Sequence, residues 1–520
     1  MKNSQKLRRY HAPAWNEPVI MEMGRKGERG ITVPEVEEEI REVVGDAESY
    51  IPAKMRRKQL PKLPELSQPQ VLRHFLRLSQ QTLGMELNID LGEGTCTMKY
   101  SPKVNEELAK QIAEVHPLQD EDTIQGVLEI VYKFGKVFLR EISGMDEFSF
   151  QAGGGSEAVY NNACMIRKYH ELNGELEQRN EIITTIFSHP CDAATPATAG
   201  FDVVTLYPDE ETGLPDVEAL KAAVSEHTAG LMITNPEDTG IFNPEIDEWT
   251  RIVHEVGGLC AYDQANANAI LGITRAKEAG FDMCFFNLHK TFSSPHGCDG
   301  PGCGAVGVRK ELARFLPVPV VVFDGDKYRL DYDRPHSVGK VRDFYGNVQA
   351  VLRAYAWSMC MGAEGLREVA EVSMINNNYL EKKLLAIPGV IKPYKVERRV
   401  DQIRYSLEKL KEDTGLGTED VNRRIVDFGI QNYFMSHHPW IVPEPFTPEP
   451  CETYSKADID YWAAVLSQIC KEAYSNPEIV RTAPHNSTIA KMNEAALDDP
   501  EKWAMTWRAY LRKRRSLKSK

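Results

Sequence analysis

Between residues 148 and 308 short apolar runs alternate with amphipathic ones, and this alternation restricts the fold more than any other feature of the 520-residue chain. The runs at 148–151, 181–187, 203–207, 231–234, 259–262, 281–287 and 305–308 have the length of strands. Helical patterns extend from the first run to about residue 169 and cover 216–226 and 244–256. Strands that alternate with helices build a mostly parallel sheet covered on both faces. The expected fold class is therefore α/β. Ligands of such sheets sit beyond the carboxyl ends of the strands, so polar residues that directly follow a strand are the candidates for chemistry.

The flanking regions read differently. Residues 1–70 are rich in Pro and charge and predict an extended arm, with a short helix over 35–44. Residues 69–83 carry Val71, Leu72, Phe75, Leu76 and Leu78 at amphipathic spacing, and 104–142 read as mostly helical. Helices return after about 345, with 348–361 the longest, and a mixed segment follows from 394 to 470. The chain divides accordingly into an N-terminal arm and helical segment (1–100), a large α/β domain (101–340), a smaller α+β domain (341–495) and a basic tail (496–520), which reads as a solvated face.

Charge and cysteine usage exclude several functions. Acidic residues outnumber basic ones 76 to 62, a net charge of −14. This argues against a nucleic-acid binder or an anionic-membrane binder. The longest apolar stretch, 315–323, contains Pro317 and Pro319 and is far short of the ~20 residues of a membrane span. Residues 1–15 are polar and basic and show no signal peptide. The 10 cysteines include no C-x-x-C pair, which fits neither a disulfide framework nor a zinc ribbon and agrees with a cytoplasmic location. A metal-binding reading of His289, His296, Cys298 and Cys303 has the wrong spacing for a closed zinc site, so no metal is expected.

Three segments that follow strands have complementary chemistry. Gly153-Gly154-Gly155-Ser156 precedes a helix, where bare N–H groups accept an anion. Its spacing is not the dinucleotide fingerprint. Asp263 ends the run Leu259-Cys260-Ala261-Tyr262. Lys290 follows the run that ends at Asn287. Taken singly, these are a turn, a cap and a surface lysine. Taken together, they are an anion cradle, an acid and an amine, the three needs of pyridoxal phosphate. A lysine buried among apolar residues is expected to have a lowered pKa and to form a Schiff base.

The order of the three segments resembles the aspartate-aminotransferase-like enzymes. Longer motifs narrow the resemblance: Asn287-Leu288-His289-Lys290-Thr291-Phe292, Gly300-Pro301-Gly302-Cys303-Gly304, Asp263-Gln264-Ala265-Asn266-Ala267-Asn268, Arg342-Asp343-Phe344-Tyr345-Gly346-Asn347, and Cys96-Thr97-Met98-Lys99-Tyr100. These are similar to the P-protein of the glycine cleavage system, in particular the second subunit of its two-subunit form. The resemblance runs from about 70 to 490. It implies a pyridoxal-phosphate transferase-like fold with a smaller C-terminal domain. It also implies decarboxylation of glycine, with transfer of the aminomethyl group to a lipoylated carrier, the H-protein. The implied partner is a first subunit of the same fold, in a dimer of heterodimers, with a homodimer as the alternative. By resemblance Lys290 forms the Schiff base, Asp263 pairs the ring nitrogen and His289 lies near the phosphate. Gly154, Gly155 and Ser156 contact that phosphate, and Glu157, His189 and Asn235 line the cofactor.

The chain departs from the family pattern in places. Glu157 stands where the pattern has a ring-stacking histidine, and it is expected to repel a substrate carboxylate. His189-Pro190-Cys191-Asp192 replaces a His-Gly-Thr-Asn run. Cys298, Asp299 and Asp238 are also unusual. These departures keep two other readings open: a related enzyme acting on a different amino acid, as decarboxylase, aminotransferase or lyase, and a non-catalytic partner subunit.

Overall fold

The computed structural model describes residues 6–84, 87–96, 99–116, 118–295, 300, 302–431, 433, 435–492, 497–500 and 503–518. His296, Cys298 and Asp299 lie outside the described residues. The chain forms two compact units, one of Met1–Arg9 with Met85–Ala483 and one of Tyr10–Gly84 with Pro484–Lys520.

The larger unit is built on a seven-stranded sheet. Its strands are β1 (Glu147–Ala152), β2 (Glu181–Thr185), β3 (Asp202–Leu206), β4 (Thr228–Thr234), β5 (Leu259–Asp263), β6 (Met283–Asn287) and β7 (Gly304–Val308). Their order is β1-β7-β6-β5-β4-β2-β3. All neighbours are parallel except at β7, which runs antiparallel to both β1 and β6. Each predicted strand is present, although 181–187 and 281–287 are shorter than their apolar runs, because the apolar residues continue into buried turns. Helices α1 (Gly155–Leu172), α2 (Cys191–Thr198), α3 (Val217–Ala223) and α4 (Ile246–Glu255) connect the strands.

Two apolar clusters cover the sheet. One gathers Phe134, Phe150, Ile183, Leu231, Trp249, Tyr262, Phe286 and Phe292. The other holds Ile166, Ile182, Met232, Phe285, Val306 and Phe315. The strands are buried on both faces, which explains why they read as continuous apolar runs and not as alternating ones. A third cluster, with Leu380, Ile403, Tyr405, Tyr433, Phe446 and Trp462, lies in the segment that follows. The helix α5 (Val348–Leu384) leads into it and is broken at Gly362, where φ is 64°, so the regular segment over 348–361 ends where the sequence predicts. In 104–142 the helices Lys103–Lys110 and Gln125–Lys133 are separated by turns.

The smaller unit contains the helix Gln68–Gln80, whose start is fixed by the capping box of Ser67 and Gln70. Glu17 accepts from His74 Nδ1 at 2.9 Å and pairs with Arg77 at 2.8 Å. The predicted apolar face does not become core. Leu72, Phe75 and Leu76 are each more than half exposed. The short helix expected at 35–44 spans Glu38–Val44, and the basic tail forms the helix Trp507–Lys518. Among the described residues no helix is long and apolar enough to cross a membrane, and the nine described cysteines carry free thiols.

Gly346 and Gly339 separate two ways in which a glycine can be required. Both have positive φ, 94° and 98°. A Cβ at Gly346 would lie 2.0 Å from the Phe150 carbonyl oxygen, whereas one at Gly339 meets nothing within 4 Å. Gly339→Ala is expected to lower stability by about 1–2 kcal/mol from backbone strain alone, and Gly346→Ala by clearly more. Urea unfolding of the two variants in parallel checks the order.

Candidate active site

The parallel strands bring their carboxyl ends to one edge. Thr234 is paired with Asp263, Asp263 with Phe285, and Gly304 with both Asn287 and Ala152. The loops that begin at 153, 186, 235, 264 and 288 therefore open on the same edge, where they place Gly153–Glu157, His189, Asn235, Asp238, His289 and Lys290 beside Asp263 at the end of β5.

The glycine loop leads from β1 into α1. A side chain at Gly153 would have to displace the Arg342 guanidinium, which occupies the position of its Cβ. A Cβ at Gly155 would lie 2.8 Å from Asn287 Nδ2. The first turn of α1 has N–H groups without intrahelical acceptors. Beside it Asn287 Oδ1 is buried without a hydrogen-bond partner. Ser156 is exposed on that turn. Glu157 does not project as a free carboxylate. It folds back to accept from the Gly153 N–H at 2.5 Å and lies 3.6 Å from Arg342. It ties the glycine loop to the start of its own helix, and the charge expected to repel a substrate is held by a guanidinium.

Asp263 is 4% exposed and accepts from Ala265 N at 2.8 Å. Burial raises its pKa to about 6, against the opposing effects of the Ala265 N–H and the Lys290 ammonium. Lys290 Nζ lies 3.5 Å from Thr95 Oγ1. Its proton affinity differs from expectation. Burial lowers the pKa, but Cys96 and the carboxyl groups of Asp263, Asp238 and Glu449 outweigh it, and the net shift is upward. The lysine is not set among apolar side chains; it is the cation of an acidic pocket. His289, next to it, is buried, and its Nδ1 accepts from Cys303 N at 3.2 Å.

His189 follows β2. Its Nδ1 is 2.8 Å from Cys191 Sγ, and its ring meets His437 edge-on at 5.3 Å. Burial pushes its pKa down to about 4 despite the attraction of Asp238, so it is neutral near pH 7. Asn235 uses its side chain on its own loop: Nδ2 donates to the Asn243 carbonyl at 3.2 Å, and Oδ1 accepts from Asn243 N at 2.8 Å. The amide shapes the 235–243 turn, with one Nδ2 proton and one Oδ1 lone pair still uncommitted in these two bonds.

Asp238, which the sequence marks as unusual, enters the site together with several residues that sequence reasoning did not name. Asp238 is 3.4 Å from Arg404 and 3.2 Å from His437. Burial opposes its ionisation, but the His437 hydrogen bond and the Arg404 charge hold its pKa below the ordinary carboxylate range. Arg404 is 2% exposed, and its Nε and Nη1 have no hydrogen-bond partner. Glu449 accepts from Asn266 Nδ2 at 2.9 Å and from Asn268 Nδ2 at 2.6 Å, and Asn266 also reaches Asp401 at 3.3 Å. Asp401 and Glu449 are raised to about 6 and about 8, first by burial. Arg404, Asp401, His437 and Glu449 all come from the mixed segment over 394–470, where no local pattern marks them. The Asn266 and Asn268 pair that meets Glu449 lies within the Asp263–Asn268 motif, which the sequence marks only as a family resemblance.

A buried amine after one strand, an acid on the end of the next and a side-chain-free helix start, on a mostly parallel sheet, define the class: this is a pyridoxal-phosphate-dependent transferase-like chain. The aminotransferase class-V family profile matches residues 153–404, and the profile described as glycine dehydrogenase, C-terminal domain, matches 369–490. The chain belongs to the family of glycine dehydrogenase (decarboxylating) subunit 2. A Pyrococcus abyssi protein named "probable glycine dehydrogenase (decarboxylating) subunit 2" is 44% identical over 505 residues, which cover 96% of this chain and 98% of the relative. One of the same name from Caldanaerobacter subterraneus subsp. tengcongensis is 42% identical and covers 92% and 96%. A crystal structure of glycine decarboxylase (P-protein) of the glycine cleavage system, in inhibitor-bound form, shares the fold. Its TM-score is 0.70 at 20% identity, over 84% of this chain and 99% of that one.

Glu449 gives a direct test of the acidic pocket. A carboxyl group with a raised folded-state pKa binds its proton more tightly in the native state, so its ionisation costs stability as pH rises from the unfolded value toward about 8. The expected outcome is that Glu449→Gln flattens the fall in melting temperature between mildly acidic and mildly alkaline pH. Differential scanning fluorimetry across that range checks it.

Proposed function

We propose that this chain acts as the second subunit of a glycine decarboxylase. It would release the carboxyl group of glycine as carbon dioxide and pass the aminomethyl group to the lipoyl arm of a carrier, the H-protein. The observation that carries the reading is the convergence of Lys290, Asp263 and the Gly153–Gly155 loop on one sheet edge. It occurs in a chain that aligns with subunit 2 relatives over nearly its whole length.

The residues fit pyridoxal phosphate. Gly153–Gly155 leave an approach that a Cβ would close, and Asn287 Oδ1 is a buried acceptor still without a donor beside them. The first-turn N–H groups of α1, with Gly154, Gly155 and Ser156, would receive the phosphate at the positive end of the helix. Lys290 would supply the amine, Asp263 would hold a proton on the ring nitrogen, and His289, His189, Glu157 and Asn235 would shape the surrounding wall. When bound, the cofactor provides an electron-withdrawing ring that takes up the electron pair left by the departing carboxylate.

The chain's own side chains set the conditions for that chemistry. Lys290 carries its positive charge opposite Asp263 and Asp238, which balances the pocket before substrate enters, while Glu449, raised to about 8, is mostly protonated near pH 7. His189 is neutral near pH 7 and adds no charge at the cofactor edge. Phe187 under the Arg404 guanidinium, 5.4 Å from its ring centre, keeps water from one side. Glu157, engaged with Gly153 and Arg342, stands out of the path of a substrate carboxylate. Residues 101–340 would carry the cofactor and 341–495 would close over it with Arg404 and Glu449. A first subunit of the same fold is the natural partner for a chain of this family, in a dimer of heterodimers. Free thiols fit the reducing cytoplasm.

The test uses the chain co-expressed with its first-subunit homologue and lipoylated carrier. Exchange of labelled bicarbonate into glycine is expected, and Lys290→Ala is expected to abolish it. Borohydride treatment should fix the cofactor to the peptide containing residue 290. A reducible cofactor linkage without glycine exchange would assign the site to a different amino acid.

A further inference from the structure

Asp192 has no part in the chemistry just described, yet it lies against the residue that matters most to it. It sits in the first turn of α2, is 1% exposed, and accepts from Thr234 Oγ1 at 3.1 Å. One oxygen of its carboxyl group and one of Asp263, with Cys191 Sγ, all lie within 4.8 Å of one another, and each carboxyl group shifts the ionisation of the other. Two carboxylates this close in a dry site do not both ionise, and the one that keeps its proton can donate it to the other.

We propose that Asp192 and Asp263 share a single proton, and that Asp192 is a positioning residue that, as the acid, donates to Asp263 and holds it as the carboxylate. The surroundings agree. Lys290, from the loop after β6, is the cation that favours an ionised Asp263. Asp238, from the loop after β4, repels a charge on either member. Cys191, the first residue of α2, lies beside the pair as a buried thiol pushed toward its neutral form, and His189, whose backbone N–H donates to Thr234 Oγ1, is a neutral imidazole. Burial disfavours the ionised form of Asp192 before any of these charges act. With one proton, the pair carries one negative charge opposite Lys290. With none, it carries two and Asp192 turns from a donor into a repelling neighbour. Orientation of Asp263 is therefore conditional on pH in a way that an amide at 192 would not be.

The inference rests on the reading of Asp263 as the ring-nitrogen acid only for its consequence. The shared proton is measured on the cofactor-free full-length chain, so its failure and that of the glycine reading are separate results. Difference infrared spectra are recorded with aspartate labelled with carbon-13 at the γ-carboxyl, which distinguishes aspartyl bands from those of Glu237 and Glu449. The expected result is a protonated aspartyl carbonyl band that persists at neutral pH, declines under alkaline conditions and is lost in Asp192→Asn. In the cofactor-loaded protein, the same variant should remove the alkaline limb of the pH titration of visible absorbance. Absence of a protonated aspartyl band at neutral pH in the wild-type chain overturns the proposal without need of the variant, and so does a band that Asp192→Asn leaves in place.

Discussion

Desolvated charge at the carboxyl edge of the sheet is what the rest of the larger unit has to balance. Asp263, Asp238, Arg404, Asp401 and Glu449 are buried, and Lys290 beside them is partly so. An isolated charge there would cost several kcal/mol. Each is instead tied to a neighbour: Asp238 to Arg404 and His437, Glu449 to two asparagines, Lys290 to a ring of acids. The apolar clusters on both faces of the sheet hold the strand ends in register, and that register brings these groups within range of one another.

The fold was largely legible in the sequence because buried parallel strands and their helices leave a periodic record. The three residues with the plainest chemistry were legible too, since Gly153–Gly155, Asp263 and Lys290 directly follow strands and lie inside long family motifs. What the sequence could not show was how those side chains are occupied. Glu157 reads as an intruder in the glycine loop, yet it is bonded to the Gly153 N–H and paired with Arg342, which is 185 residues away in sequence. Lys290 reads as an amine in an apolar pocket because its local neighbours are Leu288 and Phe292. The acids that reverse its pKa shift come from 238, 263 and 449, and only the tertiary fold adds them. Asn235 reads as a cofactor ligand, and the fold adds a second task that the sequence does not show, the bonds of its amide to the Asn243 backbone. The apolar stripe of the helix Gln68–Gln80 reads as core and is exposed, because periodicity reports that a face is apolar without saying what it meets.

The placement of β7 affects how such a chain reaches its native state. β1 and β6 run in the same direction but are separated by β7, the antiparallel strand between them. β1 has no other partner in the sheet, so it stays unpaired until residues 304–308 have been made, more than 150 positions later in the chain. Contacts this distant in sequence form slowly. Until then Phe148 and Phe150 belong to an open strand with a free edge, a surface prone to association. On the ribosome, the glycine loop that depends on β1 is among the earliest parts of the site to be synthesised and among the last to be fixed in place.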